Sequence, residues 1–378
     1  MRSAADSHSS GTNAAGIEVP KSGRTVGGPL RHTVLVMTAL LHAPPPAGAL
    51  AESPMLGRME ASQPASARQI LTLTVNPALD VSTSTAQVVS LHKLRCGTSR
   101  VDPGGGGVNV SRVVQRLGGR TLAVYTAGGP VGEAYRRLIE AERIPSLVVT
   151  IQGNTRQNFI VDETSTGKQF RFVLEGPELR EAEWRACLDL VAQETAVGGY
   201  VVASGSLPPG VPEDFYARVV RLTRERGARC IVDTSGPALD EALAGGVFLV
   251  KPSRRELGEH FGVTLDSEQS QVEAASALIA DGSAEYVALT LGEAGAVLAA
   301  RSGVVRLPVP SVQVLSTVGA GDSFLGAFAL RLAQGHPVEV AFRSAVAAGS
   351  AAAMTPATEL CHRGDVERLE AELSAAMP

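Results

Sequence analysis

One carboxylate stands beside a glycine-rich turn in the segment STVGAGDSFLGAFALRLAQG, residues 316–335. Gly319, Ala320 and Gly321 permit a tight turn, and a helix is predicted to begin there through Asp322. The unpaired N–H groups and the dipole at the start of a helix stabilise a phosphate or a developing negative charge. A carboxylate in that place could accept the proton of a hydroxyl that attacks phosphorus. On this segment alone, an ordinary helix-capping role for Asp322 remains the more common explanation.

A second glycine-rich segment, PGGGGVNVSR at residues 103–112, also precedes a predicted helix. Gly105 and Gly106 have no side chains, so a ligand could approach the backbone closely. Asn109 could then hydrogen-bond sugar hydroxyls. A flexible loop that leads into a helix is the alternative interpretation. The spacing is not GxGxxG and the sequence has no GxxxxGK[ST], so neither a dinucleotide-binding fingerprint nor a Walker-type phosphate loop is indicated.

The segments around these loops alternate between apolar strands and amphipathic helices. ILTLTV at 70–75 is a predicted strand, and after Pro177 the runs GYVVASG, CIVDTSG, VFLVKPS and YVALTLG alternate with predicted helices. This order predicts an α/β fold with a mostly parallel sheet that is covered on both faces. Ligands of such sheets bind at the carboxyl ends of the strands. Those ends carry NPALD, SGSLPPG, DTSG, KPSRRE and TLGEAG.

Two shorter patterns complete the prediction of secondary structure. The helix after the four glycines has an apolar face of Val110, Val113, Val114 and Leu117. Three short runs within about residues 150–174, VTIQGN, QNFIVD and QFRFVL, predict a small antiparallel sheet.

Composition excludes several classes of protein. The 378 residues carry 34 Lys+Arg against 38 Asp+Glu, a net charge of −4, which argues against a basic surface for nucleic acid. The four cysteines form no CxxC, so neither a disulfide framework nor a zinc site is indicated, and a reducing compartment, the cytoplasm, is expected. No apolar run reaches the ~18–20 residues of a membrane span.

The first 67 residues are rich in Ala, Ser, Gly and Pro, and no aromatic residue precedes Tyr125. This composition predicts a disordered extension, or an over-long translation start with Met55 or Met59 as the true one. The run TVLVMTALL at 33–41 is the alternative, because it resembles a secretory signal. It lies farther from Met1 than such signals do, which favours the extension. Residues 68–378 are then the folded domain.

Both glycine-rich segments, together with Asp80 in NPALD, resemble the ribokinase-like (PfkB) sugar kinases. The resemblance spans about residues 70–370 and is nearest to the branch of the minor bacterial 6-phosphofructokinases. It is carried by LTLTVNPALD, KLRC, PGGGGVNVSR, LGG, TRQN, SGSLPPG, VDTSG, VKP and STVGAGDS. It implies a ribokinase-like three-layer α/β/α sandwich with a small β-sheet lid, formed mainly by about residues 81–103 and 150–175. It also implies a homodimer that associates through the lid.

The resemblance implies ATP-dependent phosphorylation of the C1 hydroxyl of fructose 6-phosphate. Asp322 would be the general base, and the amides of Gly319, Ala320 and Gly321 would stabilise the transferred phosphoryl group. The residues that it assigns to the sugar and its phosphate are Asp80, Arg95, Gly105, Gly106, Asn109, Arg156 and Ser206. Arg95 and Arg156 are the cations among them, since a guanidinium binds phosphate in a bidentate way, although ordinary surface arginines are the alternative.

The cofactors that the resemblance implies are ATP and Mg²⁺, with K⁺ as a further activator. The residues that it assigns to the nucleotide are Lys93, Lys251, Ser253, Thr290, Gly292 and Gly349, with Glu256 assigned to the metal. Two departures from the family pattern bear on these cations. Ser253 stands where the family usually has Asn, so we expect altered rather than lost Mg²⁺ dependence. In AAMTPATEL at 352–360, Ala357 replaces a usual Gly and Glu359 an Arg of the nearest relatives, which leaves K⁺ activation open.

Two alternatives stay open from the sequence, and a third is excluded. Tagatose 6-phosphate or fructose 1-phosphate are neighbouring substrates, although GGGG, KLRC and TRQN favour fructose 6-phosphate. A non-catalytic sugar-phosphate sensor on the same fold belongs to a different class, and it would have no need of Asp322. A nicotinamide-dependent oxidoreductase lacks its fingerprint.

Overall fold

The computed structural model of the chain describes residues 67–375. The predicted N-terminal extension over residues 1–67 therefore lies outside the described residues, except for Ala67. None of the helices in the described part is long and apolar enough to cross a membrane.

Thirteen strands occur within residues 67–375. In chain order they are β1 (Ile70–Thr74), β2 (Ala78–Thr85), β3 (Arg100–Gly104), β4 (Leu122–Ala127), β5 (Ser146–Thr150), β6 (Arg156–Glu163), β7 (Lys168–Val173), β8 (Tyr200–Ser204), β9 (Arg229–Asp233), β10 (Val247–Val250), β11 (Ala284–Thr290), β12 (Ala296–Ala300) and β13 (Gly303–Leu307).

Ten α-helices occur in the same range, along with a 3₁₀ turn at Gly292–Ala294. The helices are α1 (Gly106–Arg116), α2 (Gly129–Ala141), α3 (Glu181–Glu194), α4 (Phe215–Glu225), α5 (Pro237–Ala244), α6 (Arg254–Phe261), α7 (Glu268–Ala280), α8 (Ala320–Ala333), α9 (Val338–Ala353) and α10 (Arg363–Ala375).

Nine strands form one large sheet in the order β13-β12-β11-β10-β9-β8-β1-β4-β5. Its strands from β5 to β11 pair in parallel, and only β12 and β13 at one edge are antiparallel. Every residue of β1 and β8 is buried, as their largely apolar sequences predict for strands covered on both faces. The prediction of a mostly parallel sheet is confirmed.

Helices cover both faces of the large sheet. One apolar layer contains Trp184 and Phe215, from α3 and α4, and continues along α5 to α7. The opposite layer contains Phe328 and Phe342, from α8 and α9, together with α1 and α10, and α2 packs beside α1 on that face. The predicted apolar face of α1 is buried in this second layer, apart from the partly exposed Leu117. The three-layer α/β/α architecture is thus confirmed.

A separate small sheet has the order β3-β2-β6-β7. Its outer pairs are antiparallel, which confirms the predicted antiparallel pairing of QNFIVD with QFRFVL, whereas its central pair, β2 with β6, is parallel. The reason lies in the connections. β2 follows β1 and β6 follows β5 through short links, and β1 and β5 leave the large sheet in the same direction.

One of the three runs that predicted the small sheet belongs elsewhere. Val149 and Thr150 of VTIQGN end β5, which pairs in parallel with β4 in the large sheet. β5 follows α2 after a short connection, residues 142–145, in the alternation of helices and strands that is typical of a parallel sheet. Only β6 and β7, from QNFIVD and QFRFVL, join β2 and β3.

Candidate active site

Asp322 lies in the first turn of α8, directly after the glycine turn. Gly319 precedes the helix with a φ of 74°, a left-handed conformation that glycine adopts without strain. No side chain caps this helix start in the described structure. The Asp322 carboxylate instead accepts a hydrogen bond from Nδ2 of Asn109 at 2.8 Å. It is therefore directed toward α1 and does not act as a helix cap.

The surroundings of Asp322 bring its titration close to neutral pH. Desolvation raises the pKa of Asp322 to about 6, and the Asp233 carboxylate acts in the same direction. The hydrogen bond from Asn109 and the Lys251 ammonium oppose this shift. A carboxylate with a pKa near 6 is largely ionised at pH 7, yet it is basic enough to accept a proton from a hydroxyl.

Asp80 is a second carboxylate with a raised pKa, on β2 of the small sheet. It is 9% exposed, and its Oδ1 accepts a hydrogen bond from Nδ2 of Asn158 on β6 at 2.9 Å. Burial raises the pKa of Asp80 to about 6, against the opposing effects of Asn158 and Arg156. The Asp80 carboxylate also acts to raise the pKa of Asp322, although the two residues are 242 positions apart in the chain.

The four-glycine segment is packed tightly against the ends of the sheets. Gly105 has a φ of 120°, and a Cβ there would lie 2.8 Å from Cγ2 of Thr74. A Cβ on Gly104 would overlap the Asp80 carboxylate, and one on Gly106 would overlap the Ser204 hydroxyl. The protein's own packing therefore requires bare backbone here, in addition to the access for a ligand that the sequence suggested.

A buried lysine lies beside the glycine turn of α8. Lys251 is 6% exposed, and its Nζ lies 3.0 Å from Oδ1 of Asp233. Burial alone would lower the pKa of Lys251, but the Asp233 carboxylate raises it, so the side chain is an ammonium ion. A Cβ on Gly321 would stand 3.5 Å from this Nζ, which places the cation within reach of an anion held at the turn.

A cavity of 800 Å³ opens where α8 begins. Three of the residues that the sequence assigned to a nucleotide line it, namely Thr290, Gly292 and Gly349, together with Ala320 and Gly321 of the glycine turn. The remaining lining is largely apolar and includes Val309, Val312, Val314, Phe324 and Val346. Apolar walls with a few polar groups are typical of a pocket for a small organic ligand.

Ser253 and Glu256 form the start of α6. The Ser253 Oγ accepts a hydrogen bond from the Glu256 N–H at 3.2 Å, and Oε2 of Glu256 accepts one from the Ser253 N–H at 2.8 Å. This reciprocal pair is a capping box, which stabilises the helix and occupies one carboxylate oxygen. In the part of the chain that the structure describes, no group of three or more His, Cys, Asp or Glu side chains could hold a metal ion.

A second cavity, of 580 Å³, contains Arg156 and Ser206. Arg156 donates from Nη1 to the Leu174 carbonyl at 2.9 Å and from Nη2 to the Asn76 carbonyl at 3.0 Å. Asn76 donates from Nδ2 to the Ser206 Oγ at 3.1 Å. Two buried polar atoms of this cavity have no partner, Nε of Arg156 and Oδ1 of Asn76. Buried polar atoms usually have a hydrogen-bond partner, which a bound polar ligand or an ordered water would supply here.

Lys93 and Arg95 are not brought to these cavities. Both lie in the connection between β2 and β3, and both are exposed. The described structure shows no side-chain hydrogen bond or ion pair from either residue to the site; only the Arg95 carbonyl accepts a hydrogen bond, from the Thr85 hydroxyl at 3.3 Å.

The two departures in the segment 352–360 have distinct structural settings. Glu359 forms an ion pair with Arg100 of β3, with 2.7 Å between Oε2 and Nη1. Ala357 has a φ of 53°, a left-handed conformation that favours glycine. The Ser316 hydroxyl donates to the Ala357 carbonyl at 2.9 Å, which ties this segment to the residues before the glycine turn.

Three further polar residues complete the site, and none of them was selected from the sequence. Asn76 lines the smaller cavity, Asp233 holds Lys251, and Asn158 holds Asp80. Asn76 lies just after β1, Asp233 is the last residue of β9, and Asn158 is the third residue of β6. They belong to the quoted segments NPALD, VDTSG and TRQN. Polar residues at carboxyl ends of parallel strands were therefore the signal that could have identified Asn76 and Asp233.

The chain is similar to several known proteins. The family described as pfkB family carbohydrate kinase matches residues 80–363. The chain is 45% identical over 300 residues to ATP-dependent 6-phosphofructokinase isozyme 2 of Mycobacterium tuberculosis, which covers 79% of this chain and 88% of that protein. Phosphofructokinase-2 from Escherichia coli is similar in structure, and each comparison covers 81% of this chain and 99% of the other. The TM-score is 0.78 at 40% identity for its complex with potassium, and 0.77 at 39% identity for its complex with fructose-6-phosphate.

Proposed function

Because the chain belongs to the pfkB family of carbohydrate kinases, we propose that it transfers the terminal phosphoryl group of ATP to the C1 hydroxyl of fructose 6-phosphate. The products are fructose 1,6-bisphosphate and ADP, and the role is a glycolytic one in the cytoplasm. The observation that carries the proposal is the Asp322 carboxylate, which has a pKa near 6 and is held by Asn109 at the glycine turn of α8.

In the proposed reaction, Asp322 accepts the proton of the C1 hydroxyl while that oxygen attacks the terminal phosphorus. A bond forms between the sugar oxygen and phosphorus, and the bond from phosphorus to the bridging oxygen of ADP breaks. The N–H groups of Gly319, Ala320 and Gly321 stabilise the charge on the transferred group. The Lys251 ammonium adds a cation beside the same turn.

We assign the phosphate end of the sugar to the cavity of Arg156 and Ser206. The unpartnered Nε of Arg156 supplies a cationic donor, and the unpartnered Oδ1 of Asn76 supplies an acceptor for a sugar hydroxyl. The Asp80 carboxylate, with the adjoining Gly105, Gly106 and Asn109, holds further hydroxyls. Arg95 is a proposed phosphate contact on the resemblance alone, since its side chain lies away from this cavity.

We assign ATP to the cavity lined by Thr290, Gly292 and Gly349. Its apolar walls suit the base, and its floor is the glycine turn at which the phosphates would meet α8. Lys93 is a proposed phosphate contact on the resemblance alone.

The residues present would bind Mg²⁺ only weakly, together with the phosphates of the nucleotide. Mg²⁺ usually keeps several waters and binds through one or two carboxylates and the substrate phosphates. Glu256 has one oxygen outside its capping box and, with Ser253, would hold such an ion through water. Bound Mg²⁺ neutralises phosphate charge. For K⁺, which the E. coli relative binds in its solved structure, activation of this chain stays a prediction.

The small sheet supports a homodimer. Val101, Val81, Phe159 and Phe172 stand side by side in register across all four strands. Phe159 is 40% exposed and Phe172 is 51% exposed, so the outward face of this row lies open to solvent. An exposed apolar face on a small sheet favours cover by another surface, and a second copy of the chain offers the matching one. Closure of this sheet over the sugar would also keep water from the phosphoryl group.

A coupled assay of ADP release tests the proposed function. Purified protein is compared on fructose 6-phosphate, tagatose 6-phosphate, fructose 1-phosphate and unphosphorylated fructose. The highest kcat/KM is expected with fructose 6-phosphate, with some activity on its epimer because few hydrogen bonds separate the two. A higher kcat/KM on fructose 1-phosphate or on fructose would refute the substrate assignment. The absence of turnover on every sugar would favour a sensor.

A further inference from the structure

Arg112 is a buried arginine on α1, one turn after Asn109 in the helix. Its side chain is 1% exposed. A buried guanidinium is costly unless all of its donors are satisfied. The hydrogen-bond partners of Arg112 therefore indicate its role.

The guanidinium of Arg112 is held by acceptors from three directions. Nη2 lies 2.6 Å from Oε1 of Glu142, at the end of α2, and 3.4 Å from Oδ1 of Asp102 on β3. Nη1 donates to the Pro103 carbonyl at 3.1 Å. The same Nη1 donates to Oδ1 of Asn109 at 3.2 Å.

The contact with Asn109 determines how that amide is oriented. Oδ1 of Asn109 faces the guanidinium, so Nδ2, at the other end of the amide, faces the Asp322 carboxylate at 2.8 Å. A flipped amide would place its oxygen against a carboxylate and its NH₂ group against a cation. Both contacts would then be repulsive, so the two charges select one orientation.

We propose that Arg112 is a positioning residue for phosphoryl transfer, which acts by holding Oδ1 of Asn109 so that Nδ2 points at Asp322. This inference rests on the proposed function, in which Asp322 is the general base. Arg112 touches neither cavity. It acts on the reaction through the orientation of Asn109, in the way that an outer partner orients a ligand of a metal.

The consequence is a change in the acidity of Asp322 when Arg112 is altered. The charged and polar groups that face Asp322 are Asp233 on β9, Lys251 after β10, Asp80 on β2 and Asn109 on α1. Of these, only Asn109 is in contact with Arg112 in the described structure. If the amide of Asn109 is free to turn, the Asp322 anion loses a donor, and its pKa rises.

The test measures kcat against pH for two substitutions of Arg112. Arg112→Lys keeps the charge, but its single ammonium is drawn to the carboxylates of Glu142 and Asp102 and releases Asn109. Arg112→Met removes charge and donors together. Both variants are expected to lower kcat about 10-fold and to move its acidic limb upward by about one pH unit, with little change in KM. A wild-type pH profile for Arg112→Lys would overturn the inference, because charge alone would then suffice.

A control and a double-mutant cycle separate positioning from stability. Glu142→Gln weakens the main ion pair of Arg112 but leaves the contact with Asn109, so the protein is expected to lose stability without a shift in the acidic limb. On an Asn109→Ala background, Arg112→Lys is expected to cause no further loss of kcat. Additive losses would show that Arg112 does not act through Asn109.

The activity of the wild type distinguishes failure of the proposed function from failure of this inference. Wild-type protein that phosphorylates no sugar would refute the proposed function and this inference together, whereas an active wild type with additive losses refutes only the inference. A crystal structure of the wild type provides a measurement that needs no variant. If the Asn109 side chain lacked either the contact with Arg112 or the contact with Asp322, the inference would also be overturned.

Discussion

The substitution Asp322→Asn is expected to lower kcat by orders of magnitude and at the same time to stabilise the fold at neutral pH. It removes the proposed base, which predicts a loss of roughly 10²–10⁴ in kcat with a small change in KM. It also removes a desolvated negative charge. An asparagine in this place keeps an oxygen that can accept the 2.8 Å hydrogen bond from Asn109, so the local geometry is retained.

The size of the stability gain follows from the pKa of Asp322. Desolvation raises that pKa from 3.8 to about 6, so the folded state binds the proton more tightly than the unfolded state. The free energy of unfolding of the wild type therefore falls as the pH rises from about 4 to about 6, and the loss is complete above that range. A shift of about two units corresponds to at most about 3 kcal/mol.

The assay is chemical denaturation of the wild type and of Asp322→Asn at pH 4.5 and at pH 8. The variant is expected to gain stability over the wild type at pH 8 and to gain much less at pH 4.5. Asp189→Asn, at an exposed position of α3, serves as the matched control for loss of one carboxylate. Equal differences at the two pH values, or a variant less stable than the wild type at pH 8, would refute the reasoning that Asp322 is a desolvated carboxylate in the folded state.

Three other substitutions test separate parts of the structure. Arg156→Ala is expected to raise the KM for fructose 6-phosphate about 10-fold or more with little effect on kcat, because the substitution removes a charged hydrogen-bond donor to the bound substrate. Steady-state kinetics measures this, with Arg221→Ala at an exposed position as the control, and an unchanged KM would show that Arg156 does not bind the phosphate. Ala357→Gly is expected to raise the free energy of unfolding by up to about 1 kcal/mol, because the φ of 53° strains alanine. Urea denaturation measures this free energy, and a variant less stable than the wild type would show that alanine is not strained at this position. Phe172→Asp is expected to halve the mass observed by light scattering, because it introduces a negative charge into the exposed apolar row of the small sheet. Val197→Asp, at another exposed position, is expected to leave the mass unchanged. A dimer that persists in Phe172→Asp would place the interface elsewhere.

The parts of the fold that followed from the sequence are those in which local pattern and tertiary environment agree. Strands such as β1 and β8 are rich in apolar and β-branched residues and are buried throughout, because helices cover both of their faces, and this made the large parallel sheet predictable. The small sheet was predicted less well, since the direction of β6 relative to β2 depends on how β5 leaves the large sheet. No local pattern carries that information.

For the candidate site too, some residues were identifiable from local sequence and others only from the folded structure. Asp322 and the glycine turn were identifiable because a turn, a helix start and an acid follow one another in the chain. The ion pair of Lys251 with Asp233 and the orphaned atoms of Asn76 and Arg156 exist only once distant strands are side by side. The family resemblance assigned Glu256 to the metal, and the structure shows that one oxygen of its carboxylate accepts a hydrogen bond at the start of α6.

The parallel pairing of β2 with β6 places two surfaces back to back. Asp80 stands opposite Asn158, and the next pair, Val81 opposite Phe159, points to the other side of the same sheet. The exposed Phe159 and the buried Asp80 therefore lie on opposite faces of the same pair of strands. A one-residue shift of β6 would move Asn158 away from Asp80 and bring Phe159 to the inner face, so the register of this pair determines which side chains of the small sheet are buried and which are exposed.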